Sequence, residues 1–244
     1  MPDAASDDPR LAALYDVLDP DRSDLEVYAD LVTELGAGSV LDVGCGTGTF
    51  AVMLAERGLA VTGVDPAGAS LDVARAKPLA DRVTWIHGDA TSLPPMQVDV
   101  ATMTANVAQV FLTDVGWDAA LRGVRTALRP GGHLVFETRV PGRRAWESWT
   151  AARSTTEVPG IGAVTEWYEV TDMQEDPLLV TFDAHNLFPD GEDIVSTSTL
   201  RFRSREELDA SLHAAGFEVM DVRDAPDRPG GEWVYVARRP LSTD

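Results

Sequence analysis

The stretch VLDVGCGTGTF, Val40 to Phe50, constrains the fold more than any other part of the chain. The apolar run SVLDV, Ser39 to Val43, reads as a buried strand, and TFAVMLAERG, Thr49 to Gly58, as a helix stopped by glycine. Between them Gly44, Gly46 and Gly48 alternate with other residues. Glycine at such points permits a tight strand-to-helix turn and lets a ligand lie against bare backbone. Strand, glycine loop and helix N-terminus in this order form a nucleotide-type site at the carboxyl edge of a parallel sheet. Turn geometry alone is the plainer reading, but three glycines in five positions exceed what a turn requires.

The same rhythm continues. AVTGVD (Ala60 to Asp65), RVTWIHG (Arg82 to Gly88), VDVATMTA (Val98 to Ala105) and HLVFET (His133 to Thr138) read as strands. Helical stretches fall at Ala69 to Lys77, Asn106 to Leu112 and Trp117 to Leu128, with a turn at Arg129 to Gly132. Strands alternating with helices predict an α/β fold, a parallel sheet covered on both faces. Residues 37–138 make up this core. Ahead of it, residues 1–36 read as a helical cap. The first eight residues look disordered, and helices follow at Leu11 to Leu18 and, capped by Ser23, at Asp24 to Leu35. Residues 139–203 lack a clean helix and hold three β-like runs, Ala163 to Val170, Leu178 to Phe188 and Asp193 to Phe202, which suggest an antiparallel insertion or substrate cap. Residues 204–244 return to the core: a helix with Ser204 and Glu207 as a capping box, then strands Phe217 to Arg223 and Glu232 to Arg238.

Charge narrows the partners. Asp and Glu number 40 against 20 Lys and Arg, a formal charge of -20. Such a surface repels phosphate backbones and anionic membranes, so neither a nucleic acid nor a membrane is an expected partner. The N-terminus lacks the apolar core of a signal peptide, and no apolar run is long enough to span a bilayer. The single cysteine, Cys45, rules out a disulfide within the chain, and no CxxC spacing suggests zinc. The four histidines are scattered, so no metal is expected. His87 alternates with Trp85 on a strand, where a structural and a functional role fit equally, and His213 is a surface or packing residue in mid-helix. The expected setting is a reducing cytoplasm; the oligomeric state is open.

What the loop lacks narrows the ligand. A dinucleotide fingerprint places its third glycine at the sixth position, which here is Thr49, and a phosphate-binding P-loop ends in Gly-Lys-Ser/Thr, which is missing. No lysine neighbours the loop in sequence. Asp42, just ahead of it, is a poor neighbour for pyrophosphate and a good one for an ammonium or sulfonium. With these features VLDVGCGTGTF resembles the first motif of the class I S-adenosylmethionine-dependent methyltransferases. The likeness continues through Asp65 in VTGVDPAG, GDATSLP (Gly88 to Pro94) and LRPGGHLVFE (Leu128 to Glu137), and is weakest from Arg139 to Arg203.

The resemblance implies a Rossmann-like three-layer sandwich with a seven-stranded, mostly parallel sheet and an antiparallel insertion after the fifth strand. It implies S-adenosyl-L-methionine as cofactor, with S-adenosyl-L-homocysteine as product. Asp65 would accept from both ribose hydroxyls, as its place at a strand end also suggests. Asp89 would take the adenine amino group and the Ala90 N–H a ring nitrogen, while Pro66 and Ala67 flank the ring; Asp89 also suits a helix cap. Asp42 and Gly44 would lie near the methionine part, with Cys45, Gly46 and Gly48 completing the loop. Thr104, Ala105 and Asn106 would border the methionine chain and the methyl group. Cys45 suits a small buried filler rather than a nucleophile, because the transfer needs no covalent intermediate.

The reaction so implied is a direct displacement onto a small-molecule acceptor, in which the protein positions and desolvates the reactants. An amine can attack without a base; a hydroxyl gains from one. Tyr15, Tyr28, Arg139, Trp146, Trp167, Tyr168 and His185 are candidate acceptor-pocket residues, and each suits a core or rim place equally. Trp146, Trp149, Trp167 and Tyr168 crowd one region, which suits an apolar or cationic pocket or the packing of a cap. A catalytically silent cofactor-binding module and methylation of a protein are the alternatives.

Overall fold

The computed structural model describes residues 3–241. Three helices, α1 (Ala4–Asp7), α2 (Pro9–Leu18) and α3 (Asp24–Glu34), lead into β1 (Ser39–Val43), α4 (Thr49–Glu56), β2 (Ala60–Asp65), α5 (Gly68–Ala76), β3 (Val83–His87), β4 (Val98–Met103), α6 (Asp114–Ala127) and β5 (Leu128–Arg139). Four strands follow, β6 (Ser154–Val158), β7 (Gly162–Glu175), β8 (Leu178–Leu187) and β9 (Asp193–Arg201). The chain then closes with α7 (Arg205–Ala214), β10 (Glu218–Asp224) and β11 (Glu232–Arg238).

The strands form a seven-stranded sheet in the order β10-β11-β5-β4-β1-β2-β3 and a separate four-stranded sheet β6-β7-β8-β9. In the large sheet only β11 runs against its neighbours. The order reverses at β1, and β4 pairs directly with it. This is the switch point where a crevice opens beyond the carboxyl ends of the strands. The small sheet is wholly antiparallel.

Alternation along the central strands distributes the core. Leu41, Ala101, Leu134 and Phe136 point to one face and pack on Trp117, Leu121 and Val124 of α6 and Leu208 and Leu212 of α7. Val40, Val100 and Val135 point to the other, against Leu25, Tyr28 and Val32 of α3 and Phe50 and Leu54 of α4. Each fully buried Val, Leu or Phe among them contributes about 1.5–3 kcal/mol. The helix ends are chemically defined: Thr113 accepts from the Gly116 N–H at 3.1 Å, and Ser204 and Glu207 form the expected capping box.

Several expectations change. Ala4–Asp7 is helical, with Asp7 accepting from the Gly68 N–H and Asp3 from the Ser198 hydroxyl, so partners elsewhere in the fold order this acidic segment. Met1 and Pro2 lie outside the described residues. Ser23 precedes α3 without a side-chain cap bond. The stretch after β4 forms one 3₁₀ turn, Val107–Val110, rather than a longer helix. Arg129 to Gly132 lies inside β5, whose pairing with β4 shifts register there. The insertion has four strands; Ser154–Val158, with its polar composition, carries no apolar signal of its own.

Candidate functional site

Gly44, Gly46 and Gly48 all adopt left-handed backbone, with φ of +70°, +52° and +77°. A Cβ at Gly44 would fall 2.6 Å from Val107 Cγ2, and one at Gly48 2.5 Å from the Trp85 ring. At Gly46 it would meet nothing within 4 Å. Packing therefore demands the outer two glycines, and the middle one leaves backbone open to the crevice. Asp65 Oδ2 accepts from the Gly46 N–H and Oδ1 from the Ala67 N–H, both at 2.8 Å. Burial raises the Asp65 pKa, and these two bonds oppose it. Each oxygen retains acceptor capacity.

Asp42 lies beneath the loop and is 1% exposed. Its Oδ1 accepts from the Thr102 hydroxyl at 2.9 Å, while its Oδ2 is buried with no partner. Burial pushes its pKa up to about 7, against the Thr102 bond and with help from the Asp65 charge. A buried acceptor of this kind suits a cationic or N–H-bearing group. Cys45 is buried, and burial followed by the charges of Asp42 and Asp65 pushes its thiol upward; this is the setting of an inert filler.

On the β3 side, Asp89 is exposed and its Oδ1 accepts from the Thr91 N–H at 2.8 Å and the Thr91 hydroxyl at 2.6 Å, a local turn that leaves Oδ2 outward. Ala90 is buried, Pro66 is exposed, and the Pro66 carbonyl lies 3.0 Å from His87 Nε2. Beyond β4, Ala105 and Asn106 carry φ of +54° and +60°, strained values for residues with side chains. The Asn106 N–H donates to Glu137 Oε1 at 3.1 Å and its Nδ2 to Glu232 Oε1 at 3.0 Å. Thr104 and Asn106 are buried.

The acceptor candidates divide. Tyr28 is a core residue at 2% exposure, packed among the α3 and α4 side chains. Trp167 and His185 pair across β7 and β8, stacked at 4.4 Å, with Arg153 over the Trp167 ring and His185 Nδ1 2.8 Å from Asp193. Alternation puts them on the face of the small sheet opposite Val164, which packs on Leu11 and Leu14 of α2. They belong to its outer face, where Trp167 is nonetheless buried, at 7% exposure. Trp146 packs edge-on to Phe202 beside Val180. Tyr168 shares the inner face with Val164 and Glu166 and lines an open groove of about 610 Å³ with Trp149 and Val170. Burial and then Glu166 push its phenol upward; burial and then Asp19 push the Glu166 carboxyl upward. Arg139 donates to Gln109 Oε1 at 2.9 Å and lies 5.5 Å over Trp149, with its pKa lowered by burial. Tyr15 is near enough to Arg139 to act on its charge, and burial raises its own pKa although the residue as a whole is 44% exposed. Trp149 and Tyr168 thus share one groove, Arg139 stands over Trp149, and Glu166 and Tyr15 lie near enough to Tyr168 to act on its charge.

Three groups escaped sequence reasoning. Lys77 Nζ reaches the loop, 2.6 Å from Thr49 Oγ1 and 2.6 Å from Asp16 Oδ2; Asp16 also accepts from Thr47 at 2.7 Å. Burial alone would raise Asp16, but Lys77 and the threonines outweigh it and lower its pKa. Glu166 hides among polar neighbours on a strand. Glu137 and Glu232 sit in apolar strands; a charge inside such a run was the available signal.

The comparisons with known proteins agree with this geometry. Residues 40–132 match a family model described as a methyltransferase domain. The chain is 35% identical over 139 residues to the cypemycin N-terminal methyltransferase of a Streptomyces species, covering 50% of this chain and 56% of that one. It spans about half the length of the first curated relatives it matches. The fold matches the CcbJ methyltransferase of Streptomyces caelestis with a TM-score of 0.75 at 24% identity, covering 93% of this chain and 96% of that one. It also matches S-adenosylmethionine-bound CalS10, an amino pentose methyltransferase of Micromonospora echinaspora, with a TM-score of 0.70 at 23% identity, covering 93% and 96%. With its glycine loop, its sheet order and the match over residues 40–132, the chain carries a methyltransferase domain and has the fold of S-adenosylmethionine-dependent methyltransferases.

Proposed function

We propose that this protein methylates a small-molecule acceptor held between the carboxyl edge of the large sheet and the inner face of the small one. The reading rests on one observation: a glycine loop with open space at Gly46 lies at the carboxyl edge of the sheet beside a buried Asp42 oxygen that has no partner among the described residues. The residues present fit the cofactor. Asp65 and the Gly46 backbone would hold the ribose, Asp89, Ala90 and Pro66 the adenine, and Asp42, Gly44, Cys45 and Gly48 the methionine portion. Thr104, Ala105 and Asn106 would border its reactive end. When bound, S-adenosylmethionine supplies a methyl group made electrophilic by its sulfonium.

The chain's own part is to bind, orient and exclude water. Helices α1 and α2 bridge α5 and the small sheet like a strap. Ser70 donates to the Ser6 carbonyl at 2.7 Å, the Ala5 N–H donates to Ser196 at 2.7 Å, and Leu11 and Leu14 pack on Val158 and Val164. Residues 1–36 and 139–203 together would form the acceptor cover over the core of 37–138 and 204–244. Such closure strengthens the electrostatics of the site and orders both reactants. The amino pentose acted on by CalS10 is the size of molecule this enclosure suits.

The test is calorimetric titration with S-adenosylhomocysteine and with NAD, followed by a coupled assay of S-adenosylhomocysteine release over a metabolite library. Binding of the homocysteine compound and turnover of a small acceptor are expected. Preference for NAD would refute the cofactor, and binding with no turnover would leave a silent module.

A further inference from the structure

A row of acceptor groups runs along one face of the large sheet at its carboxyl edge. Asp42 on β1 stands beside Thr102 on β4, and Thr102 beside Val135 on β5. Glu137 follows two residues further along β5, on the same face, and Glu232 sits opposite Arg139 on β11. The row ends where the strained Ala105–Asn106 loop leaves β4, beside Arg139.

Hydrogen-bond donors are scarce there. Glu232 is 2% exposed and takes Arg228 Nη1 at 2.7 Å, Asn106 Nδ2 at 3.0 Å and Arg139 Nε at 3.8 Å. Facing the Glu232 carboxylate fixes the nitrogen end of the Asn106 amide. Its Oδ1 is then a buried acceptor with no partner, in a residue 3% exposed. Glu137, 5% exposed, receives among the described residues only the Asn106 N–H, on Oε1. The nearest cations are already engaged: Arg139 by Gln109 and Glu232, and Arg228 by Glu232 and Asp227. A buried acceptor that no protein donor serves calls for a ligand that brings its own N–H groups, and cationic ones most of all.

Resting on the methyltransferase reading, we propose that the acceptor is a primary or secondary amine, that Asn106 Oδ1 binds its N–H, and that Glu137 is the base that receives its proton. In that step an N–H bond of the bound ammonium breaks and an O–H bond forms on the Glu137 carboxylate. The electron pair stays on nitrogen, which becomes neutral and nucleophilic. An ammonium has no lone pair with which to attack, so this transfer must precede methylation. The environment suits the task. Burial, followed by the charge of Glu232 and with a smaller contribution from Asp227, raises the Glu137 pKa to about 8, against the Asn106 bond and Arg228. A base of that strength approaches an alkylammonium far better than an ordinary carboxylate does, and remains much too weak for an alcohol.

The experiment has three parts. First, protein saturated with S-adenosylhomocysteine is titrated calorimetrically with matched pairs: cyclohexylamine and cyclohexanol, benzylamine and benzyl alcohol, glucosamine and glucose. At least one amine should bind tenfold or more tightly than its alcohol. Equal binding, or binding of none, overturns the amine assignment; failure to bind S-adenosylhomocysteine overturns the reading beneath it. Second, turnover of the best amine should rise with pH to a bend near 8. Glu137→Gln should lose about 100-fold at pH 7 with cofactor affinity unchanged, and should recover at pH 10 as solvent deprotonates the amine. A uniform loss at every pH makes Glu137 merely structural. Third, the ligand-free proteins are melted from pH 5 to pH 9. Between the ordinary carboxylate range and about 8, the folded carboxyl keeps a proton that the unfolded one has lost, so its contribution to stability declines as pH rises. Glu137→Gln should match the parent at pH 5 and become progressively more stable than it toward pH 9. A difference that does not change with pH overturns the assignment.

Discussion

The glycine loop at the carboxyl edge of the seven-stranded sheet and the inner face of the four-stranded sheet are built in different ways. The first works through backbone. Three left-handed glycines shape the loop, Asp65 ties it to the next turn through two N–H groups, and Gly46 stays bare. The second works through side chains. Glu166 and Tyr168 project from β7, and residues from β5 and α2 come to meet them. A backbone device tolerates almost no substitution and binds one constant molecule. A side-chain surface exchanges residues without disturbing the strands beneath, so under the proposed function it is where an acceptor would be chosen. The difference teaches where each kind of specificity can be written.

The comparison breaks if damage to the loop spares the cofactor. Gly44→Ala forces a side-chain residue into φ +70° and drives its Cβ against Val107. A loss of about 2–4 kcal/mol from backbone strain and overpacking is expected. Affinity for S-adenosylhomocysteine, measured by calorimetry on the folded fraction, should fall more than 30-fold.

Asp65→Ala comes next. Its carboxylate both faces the crevice and holds two backbone donors at 2.8 Å. The substitution should therefore lower thermal stability by about 2–3 kcal/mol as well as weakening S-adenosylhomocysteine roughly tenfold. A selective loss of affinity would mean that the loop stands without Asp65.

A paired measurement sharpens the contrast between the two faces of the small sheet. Tyr168→Phe removes a hydroxyl from the inner face, where KM for the acceptor should rise about three- to tenfold with cofactor affinity unchanged. Trp167→Phe alters the outer face, under Arg153, and should leave KM alone. Equal effects would erase the distinction between inside and outside.

The smallest effect concerns the strap. Lys77→Met removes the ammonium shared by Asp16 and Thr49. The pair is partly exposed, so stability should change by no more than about 1 kcal/mol. Stopped-flow measurement should instead show S-adenosylhomocysteine leaving a few times faster, with α2 less firmly anchored. An unchanged release rate would mean that α2 does not gate the crevice.

The sequence by itself determined the α/β class, the succession of core strands along the chain and the glycine loop between the first strand and its helix. These depend on local quantities: apolar runs of strand length, helical periodicity, and glycine where φ must be positive. Asp42 and Asp65 were legible for the same reason, since each sits at a strand end that the pattern marks. Only the tertiary structure decided the rest. It brought Lys77 of α5 and Asp16 of α2 to the glycine loop, showed Tyr28 to be core, and split Trp167 from Tyr168, because neighbours on a strand face opposite ways and the sequence does not say which face is inside. It also placed Glu137, Glu232 and Asn106 together from three separate segments. A charge within an apolar strand reads as an anomaly; only the register of β4, β5 and β11 turns it into a site.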